Sequence, residues 1–276
     1  MPLKKEIVNL YSKYRYMIQS VKVNNSEMEY IKFGDGNKIF VIIPGLSLKS
    51  VLLSEEVIIA SFSEFTNDFT IYLFDRIKDI PKNYNIHNMA EDAYSAMINA
   101  WIKSCNIFWA SQWWMIAQCI AIKHPNFIER MILWSTTCKI ESNALKIISG
   151  RIELAKLGKI SELKKRFLTD VYCEETIKKY WTFILQADSD LTDEETQRFI
   201  KFASAMLGFD IEKDLWNIKC NVLAIWSNYD KIFGWESTKN IAKRIKCESY
   251  LYDKYGHAVY DEAPDFREKM LKFLQN

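Results

Sequence analysis

Glycine is scarce in this chain. It occurs 8 times in 276 residues, whereas about 7% is usual for proteins. Proline occurs only 5 times, and no stretch rich in Gly, Ser or Pro is present that could link separate domains. Histidine occurs 3 times, which excludes a histidine-rich metal centre and leaves few candidates for a general base. Tryptophan, with 9 residues, is more frequent than glycine.

Long apolar runs are also missing. No stretch approaches the roughly 18 consecutive apolar residues of a transmembrane helix, so no membrane span is expected. Residues 1–20 contain Lys4 and Lys5 but no uninterrupted apolar region and no small-residue cleavage site, so no signal peptide is predicted. The 6 cysteines form no C-x-x-C pair. Together these features favour a cytoplasmic protein with reduced thiols.

Neither sign of charge dominates. The chain has 37 basic and 35 acidic residues, for a net charge of +2. Basic clusters such as Lys164–Arg166 are interleaved with acidic and apolar residues at helical spacing, which is typical of solvated helix faces. No nucleic-acid partner is therefore predicted. With 49% hydrophobic residues, a chain of this length can bury a full core without disulfides or metals.

Strand and helix patterns alternate along most of the chain. Apolar runs bounded by turn residues predict buried strands, and amphipathic stretches between them predict crossover helices. The predicted strands are 29–33, 39–43, 69–74, 106–110, 129–134, 221–226 and 248–252. This alternation predicts an α/β fold with a doubly wound, mostly parallel sheet of about eight strands.

The alternation is interrupted once. Between about 141 and 214 the strand patterns vanish and four helical segments follow one another, near 142–158, 160–168, 173–186 and 193–206. A helical insertion between strands of a regular sheet suggests a lid over its edge. We therefore expect a core formed by 1–139 and 217–276, and an inserted helical lid formed by 140–216.

Three separated motifs carry residue types that act together in acyl transfer. Ser111 stands between a predicted strand and a predicted helix, Asp230 follows the strand after the insertion, and His257 follows the last strand. A serine hydroxyl is a poor nucleophile until an imidazole accepts its proton, and a carboxylate orients that imidazole. Alone, each residue could be structural: a helix N-cap, a turn residue or a loop histidine. Their context and their order predict a catalytic triad.

These motifs resemble the α/β-hydrolase superfamily, and most closely its small bacterial lidded serine hydrolases, an esterase-, aminopeptidase- and haloperoxidase-like group. Members typically read G-A-S-Q-G-G-M-I-A-Q around the nucleophile, and this chain reads W-A-S-Q-W-W-M-I-A-Q from residue 109. The resemblance implies an eight-stranded α/β-hydrolase fold with an inserted helical lid. It also implies an oxyanion hole made by the backbone N–H groups of Leu46, after Pro44 and Gly45, and of Gln112.

The resemblance further implies hydrolysis of an ester, thioester or related acyl bond through an acyl-enzyme, without a metal or organic cofactor. The expected partner is a small-molecule substrate with an apolar acyl or aromatic part, and the sequence does not indicate an oligomeric state. The same scaffold supports C–C bond hydrolases, aminopeptidases and cofactor-free haloperoxidases, so the reaction stays open. A non-catalytic binding protein with this fold is the alternative from a different class.

Six of the nine tryptophans stand where glycine is expected, namely Trp101, Trp109, Trp113, Trp114, Trp134 and Trp226. The turn that carries the nucleophile brings strand and helix close together, and Trp109, Trp113 and Trp114 occupy its glycine positions. Overpacking by one or two methylenes already costs about 1–3 kcal/mol, so three indoles should distort this turn.

Two hypotheses explain this replacement. In the first, the tryptophans are real and the chain is a degenerate, inactive hydrolase. In the second, the codon UGA encodes glycine in the source organism, and tryptophan results from translating it under another genetic code. The consistent choice of one replacement residue favours the second hypothesis.

Overall fold

A computed structural model of the chain describes residues 18–43, 45–109, 112–179 and 191–276, with only the backbone described for Trp109, Trp113 and Trp114. Its centre is an eight-stranded sheet of order β1-β2-β4-β3-β5-β6-β7-β8. The strands are β1 (Ile18–Val23), β2 (Ser26–Phe33), β3 (Lys38–Ile43), β4 (Phe69–Phe74), β5 (Cys105–Trp109), β6 (Ile128–Trp134), β7 (Asn221–Ser227) and β8 (Glu248–Tyr252). β2 pairs antiparallel with both of its neighbours, β1 and β4, and the strands β3 to β8 are parallel to one another. The predicted sheet is confirmed.

Helices cover both faces of the sheet. They are α1 (Glu55–Ser61), α2 (Ile86–Asn99), α3 (Gln112–Lys123), α4 (Ser142–Lys156), α5 (Ile160–Val171), α6 (Asp193–Ser204), α7 (Trp235–Ile245), α8 (Val259–Glu262) and α9 (Phe266–Gln275). Residues 174–179 are also helical. The sequence patterns did not predict α8 or β1. β1 is an edge strand with three exposed residues at its start, so it lacks the apolar run that marks a buried strand.

The inner strands are buried because apolar residues follow one another without interruption. In β3 the last four residues are buried, and in β4 five of the six are buried. The ring of Phe40 stacks on that of Phe65 at 5.7 Å and lies 5.6 Å from that of Phe69, so aromatic packing fills the space between sheet and helices. This rigid core fixes the strand ends that carry the candidate site.

The segment 140–216 leaves and rejoins the core at neighbouring points. Lys139 pairs with Asp210 in an isolated antiparallel bridge, and the Ile140 amide donates to the Phe209 carbonyl at 2.9 Å. Between these points lie α4, α5 and α6, and α6 begins with a capping box in which Thr192 and Glu195 exchange hydrogen bonds. The third helix of the insertion was predicted at 173–186, and its residues 180–186 lie outside the described residues.

Within the described ranges, no helix has the length and hydrophobicity that crossing a bilayer requires. All six cysteines fall in these ranges, and each is a free thiol. Burial raises the pKa of Cys119 to about 12 and that of Cys138 to about 11, so these thiols are weak nucleophiles at neutral pH.

Candidate active site

The strongest chemical feature of the molecule is a buried acid–imidazole pair. The Nδ1 atom of His257 lies 3.0 Å from Oδ1 of Asp230, and the two side chains are 3% and 1% exposed. The same carboxylate oxygen accepts hydrogen bonds from the Ile232 amide at 2.9 Å and the Phe233 amide at 3.3 Å. These amides fix the carboxylate, which in turn fixes the plane and the tautomer of the imidazole.

Strand topology explains why these two side chains meet. Asp230 follows the end of β7 by three residues, and His257 follows the end of β8 by five. β7 and β8 are parallel neighbours, so their carboxyl ends lie at the same edge of the sheet. Loops at that edge are where open α/β sheets hold their ligands.

The loop that carries His257 is attached on several sides. The Gly256 amide donates to Oε2 of Glu262 at 2.6 Å, and the Ala258 amide donates to the Val171 carbonyl at 3.0 Å. Oε1 of Glu262 accepts from the Cys173 amide at 2.8 Å. Glu262 therefore joins the histidine loop to the chain segment that follows α5. The sequence patterns did not single out this glutamate, because nothing local indicates its two distant partners.

Two aromatic side chains contact His257, one at its imidazole and one at its backbone. The ring of Phe233 meets that of His257 edge-on at 5.5 Å. Nε1 of Trp134 donates to the His257 carbonyl at 2.9 Å, which places the histidine backbone over the end of β6. The Nε2 atom of His257 is buried, and among the described residues it has no hydrogen-bond partner. A buried, unpaired imidazole nitrogen is costly in a purely structural role.

The other predicted site residues lie at the ends of neighbouring strands. Leu46 is buried in the loop after β3, and Gln112 is the first residue of α3, with its side chain fully buried. β3 and β5 are parallel neighbours, so the end of β3, the end of β5 and the start of α3 share the edge that bears Asp230 and His257. Ser111 lies outside the described residues. In the sequence it stands between the end of β5 and the start of α3.

Among the described residues, no three or more His, Cys, Asp or Glu side chains form a cluster that could hold a metal ion. The polar groups that the described residues bring together at this edge are the buried imidazole, its carboxylate and backbone amides. Such a set can accept a proton and stabilise a developing oxyanion.

The chain is similar to known hydrolases in sequence and in structure. No protein-family model matches the sequence. RutD of Pseudomonas savastanoi pv. phaseolicola, a protein named for carbamate hydrolysis, is 20% identical over 233 residues, which are 76% of this chain and 85% of RutD. MGS-M2, an α/β hydrolase enzyme from a Medee basin deep-sea metagenome library, has a TM-score of 0.85 at 22% identity, covering 94% of this chain and 98% of that one. This chain has the α/β-hydrolase fold.

A second solved structure gives the α/β-hydrolase fold further support. The enol-lactonase from Burkholderia xenovorans LB400 has a TM-score of 0.81 at 18% identity and covers 94% of this chain and 100% of its own. At such identities the likeness concerns the fold, and an α/β-hydrolase fold hosts several chemistries. The residues of the site, and not the fold, distinguish these chemistries.

The side chains of three of the six tryptophans at glycine-like positions, Trp101, Trp134 and Trp226, lie within the described residues. Trp101 has a φ of +64° and is 90% exposed. Nε1 of Trp226 is buried, and among the described residues it has no hydrogen-bond partner. Trp134 is packed and hydrogen-bonded. Backbone strain at Trp101 and the unsatisfied indole of Trp226 are features that glycine would remove. The side chains of Trp109, Trp113 and Trp114 lie outside the described residues.

Proposed function

We propose that this protein is a serine hydrolase that cleaves an ester, thioester or related acyl bond through an acyl-enzyme. The observation that carries the proposal is the buried pair of Asp230 and His257, whose outer imidazole nitrogen has no partner among the described residues. This pair lies at the sheet edge where β5 ends, and Ser111 follows that strand in the sequence. A serine there has a ready proton acceptor.

The proposed reaction has two halves. Nε2 of His257 takes the hydroxyl proton while Oγ of Ser111 attacks the acyl carbonyl carbon, and the carbonyl oxygen becomes an oxyanion. The backbone N–H groups of Leu46 and Gln112 stabilise that oxyanion. Collapse of the intermediate breaks the bond to the alcohol or thiol, which leaves with the proton from His257. Water then attacks the acyl-enzyme by the same route in reverse, and Asp230 stabilises the imidazolium in both halves.

The proposal extends to the class of substrate, the role of the segment 140–216 and the location of the protein. The protein acts on a small molecule whose apolar acyl or aromatic part contacts the segment 140–216, which serves as a lid on the core 1–139 and 217–276. It works with its own side chains and without a cofactor, as the resemblance implies. The free thiols suit a reducing cytoplasm.

A fluorophosphonate probe tests the nucleophile. The probe forms a covalent bond with an activated serine, so labelling of the protein that disappears in Ser111→Ala is the expected result. Ser142→Ala is a suitable control, because Ser142 begins helix α4 and has no part in the proposed reaction. Labelling that persists in Ser111→Ala would contradict the proposal. A panel of p-nitrophenyl esters with increasing acyl length then identifies the preferred chain length.

One observation favours a different function. Trp109, Trp113 and Trp114 occupy positions where this turn needs small residues, so the chain with these tryptophans is a candidate non-catalytic binding protein. A folded protein that stays unlabelled by the probe, while it binds small apolar esters without turnover, supports this second function. C–C bond hydrolysis, aminopeptidase and haloperoxidase activity are separated from esterase activity by assays with the respective substrates.

A further inference from the structure

Arg76 is a buried cation beside the proposed oxyanion loop. It follows the end of β4 by two residues and is 4% exposed. Its Nη2 atom donates to the carbonyl oxygen of Gly45 at 2.6 Å. That carbonyl and the N–H of Leu46 belong to one planar peptide group, in which they point in opposite directions. By holding the carbonyl from one side, Arg76 fixes the direction in which the Leu46 N–H points.

Phe202, on helix α6, connects Arg76 to the second proposed oxyanion donor. The guanidinium carbon of Arg76 lies 4.4 Å from the centre of the Phe202 ring, within cation–π distance. The carbonyl oxygen of Phe202 accepts a hydrogen bond of 2.5 Å from Nε2 of Gln112, whose side chain is fully buried. Phe202 thus contacts Arg76, which binds the Gly45 carbonyl next to the Leu46 N–H, and also the side chain of Gln112, whose backbone N–H is the second proposed donor.

Helix α6 is attached to the core at the same place. Nη1 of Arg198 donates to the carbonyls of Ile77 and Lys78, at 3.2 and 2.7 Å, and its guanidinium carbon lies 5.4 Å from the Phe202 ring. Burial lowers the pKa of Arg76 to about 9, and the neighbouring Asp75 opposes that shift. Burying a cation is unfavourable unless its contacts compensate, so the hydrogen bond to the Gly45 carbonyl and the contact with the Phe202 ring help to hold Arg76 in this place.

We propose that Arg76 and Phe202 are positioning residues, which hold the Leu46 and Gln112 amides in the geometry of the oxyanion hole. The seating of helix α6 on the core then determines how strongly the oxyanion is stabilised. The inference rests on the proposed function, because it assigns these residues to the oxyanion hole of that reaction. It adds a coupling between the segment 140–216 and the reacting centre.

The chain offers a matched control for Arg76. Arg151 on α4 is 3% exposed, its guanidinium carbon lies 4.5 Å from the ring of Phe167, and its Nη2 atom lies 3.0 Å from Oδ2 of Asp170. Arg151 is thus an equally buried, ring-stacked arginine, and none of these contacts reaches the loops of Leu46 or Gln112. Loss of either arginine should destabilise the protein, but only loss of Arg76 should disturb the oxyanion hole.

Amide NMR tests the coupling without requiring turnover. The protein is labelled with ¹⁵N-leucine or ¹⁵N-glutamine, and the Leu46 and Gln112 amide signals are assigned by substitution. Arg76→Met and Phe202→Leu should each shift both signals, whereas Arg151→Met should shift neither. If Phe202→Leu moves only the Gln112 signal and Arg76→Met only the Leu46 signal, the two donors are not coupled and the inference is overturned.

Kinetics test the consequence for catalysis. With a p-nitrophenyl ester, Arg76→Met and Phe202→Leu should lower kcat about 100-fold with little change in KM, since a displaced donor is lost mainly in the transition state. Arg76→Lys should recover part of kcat, because an ammonium can still donate to the Gly45 carbonyl. Equal kcat values for Arg76→Met and Arg151→Met overturn the inference. Absence of Ser111-dependent turnover in the parent protein instead rejects the proposed function, and the NMR result still decides the coupling.

Discussion

Trp101 shows how a single residue can conflict with its backbone. Helix α2 ends in a Schellman arrangement, in which the Trp101 amide donates to the Ile98 carbonyl at 2.9 Å and the Ile102 amide to the Met97 carbonyl at 3.0 Å. This arrangement places residue 101 in the left-handed region, where glycine is the usual residue. For other residues that conformation costs about 1–2 kcal/mol. The expectation of a glycine-like position at 101 is thus supported by the backbone.

We expect Trp101→Gly to stabilise the protein by about 1 kcal/mol, after the entropy that glycine loses on folding is subtracted. The melting temperature should rise by about 2–4 °C in calorimetry. Trp101→Ala is the control, because it removes the exposed indole but keeps the Cβ atom that causes the strain. Equal melting temperatures for the Gly and Ala variants would show that backbone strain at this position is negligible.

At the scale of elements, the histidine loop and the end of α5 are packed backbone against backbone. A Cβ atom on Gly256 would lie 2.7 Å from the Val171 carbonyl oxygen and 2.9 Å from the Cys173 amide nitrogen. Neither neighbour can rotate away, because both are main-chain atoms. The hydrogen bond between Ala258 and Val171 depends on this close approach. The position of His257 is therefore set partly by the segment that follows α5.

We expect Gly256→Ala to cost about 1–3 kcal/mol of stability, since the loop must move to relieve the contact. Hydrolytic activity should fall more than stability explains, because the movement displaces His257. Gly150→Ala is the matched control: Gly150 lies in helix α4 with no atom near its added Cβ, so alanine should stabilise the helix by about 0.5–1 kcal/mol. Chemical denaturation and ester hydrolysis measure the two effects, and unchanged activity in Gly256→Ala would contradict this account.

At the scale of the whole molecule, the question is whether the native protein has tryptophan or glycine at the six positions. Trp101 is strained, and the buried Trp226 indole N–H has no partner in the described part of the chain, which costs about 1–3 kcal/mol. Both observations agree with glycine as the native residue. Trp134 does not add to this argument, because its indole donates to the His257 carbonyl and packs 4.1 Å from the Tyr260 ring.

We expect the gene to carry UGA at the six positions, and the protein purified from its own organism to contain glycine there. Its intact mass should then be lower than that of the printed sequence by six times the difference in residue mass between tryptophan and glycine. Tryptophans outside this set, such as Trp216, should be encoded by UGG. UGG codons at 109, 113 and 114 would end the hypothesis and leave the non-catalytic reading of the chain.

Much of the fold could be predicted from the sequence because its signals are local. Buried strands such as β3 and β4 appear as uninterrupted apolar runs, and the capping residue Thr192 marks the start of α6. The edge strand β1 was missed because it has no uninterrupted apolar run and pairs only with β2. Asp230 and His257 were predicted from their places after strands, and their contact follows from the parallel neighbours β7 and β8.

The tertiary structure alone decided which distant residues support the site. Glu262 reaches the Cys173 amide, and Gln112 reaches the Phe202 carbonyl 90 positions away. The sequence analysis did not single out Arg76, because its contact with the Gly45 carbonyl joins two loops that are distant in the chain. Local patterns determine which segments become strands and helices, since those depend on neighbours in the chain. Contacts between loops depend on how the completed elements pack, which no local pattern encodes.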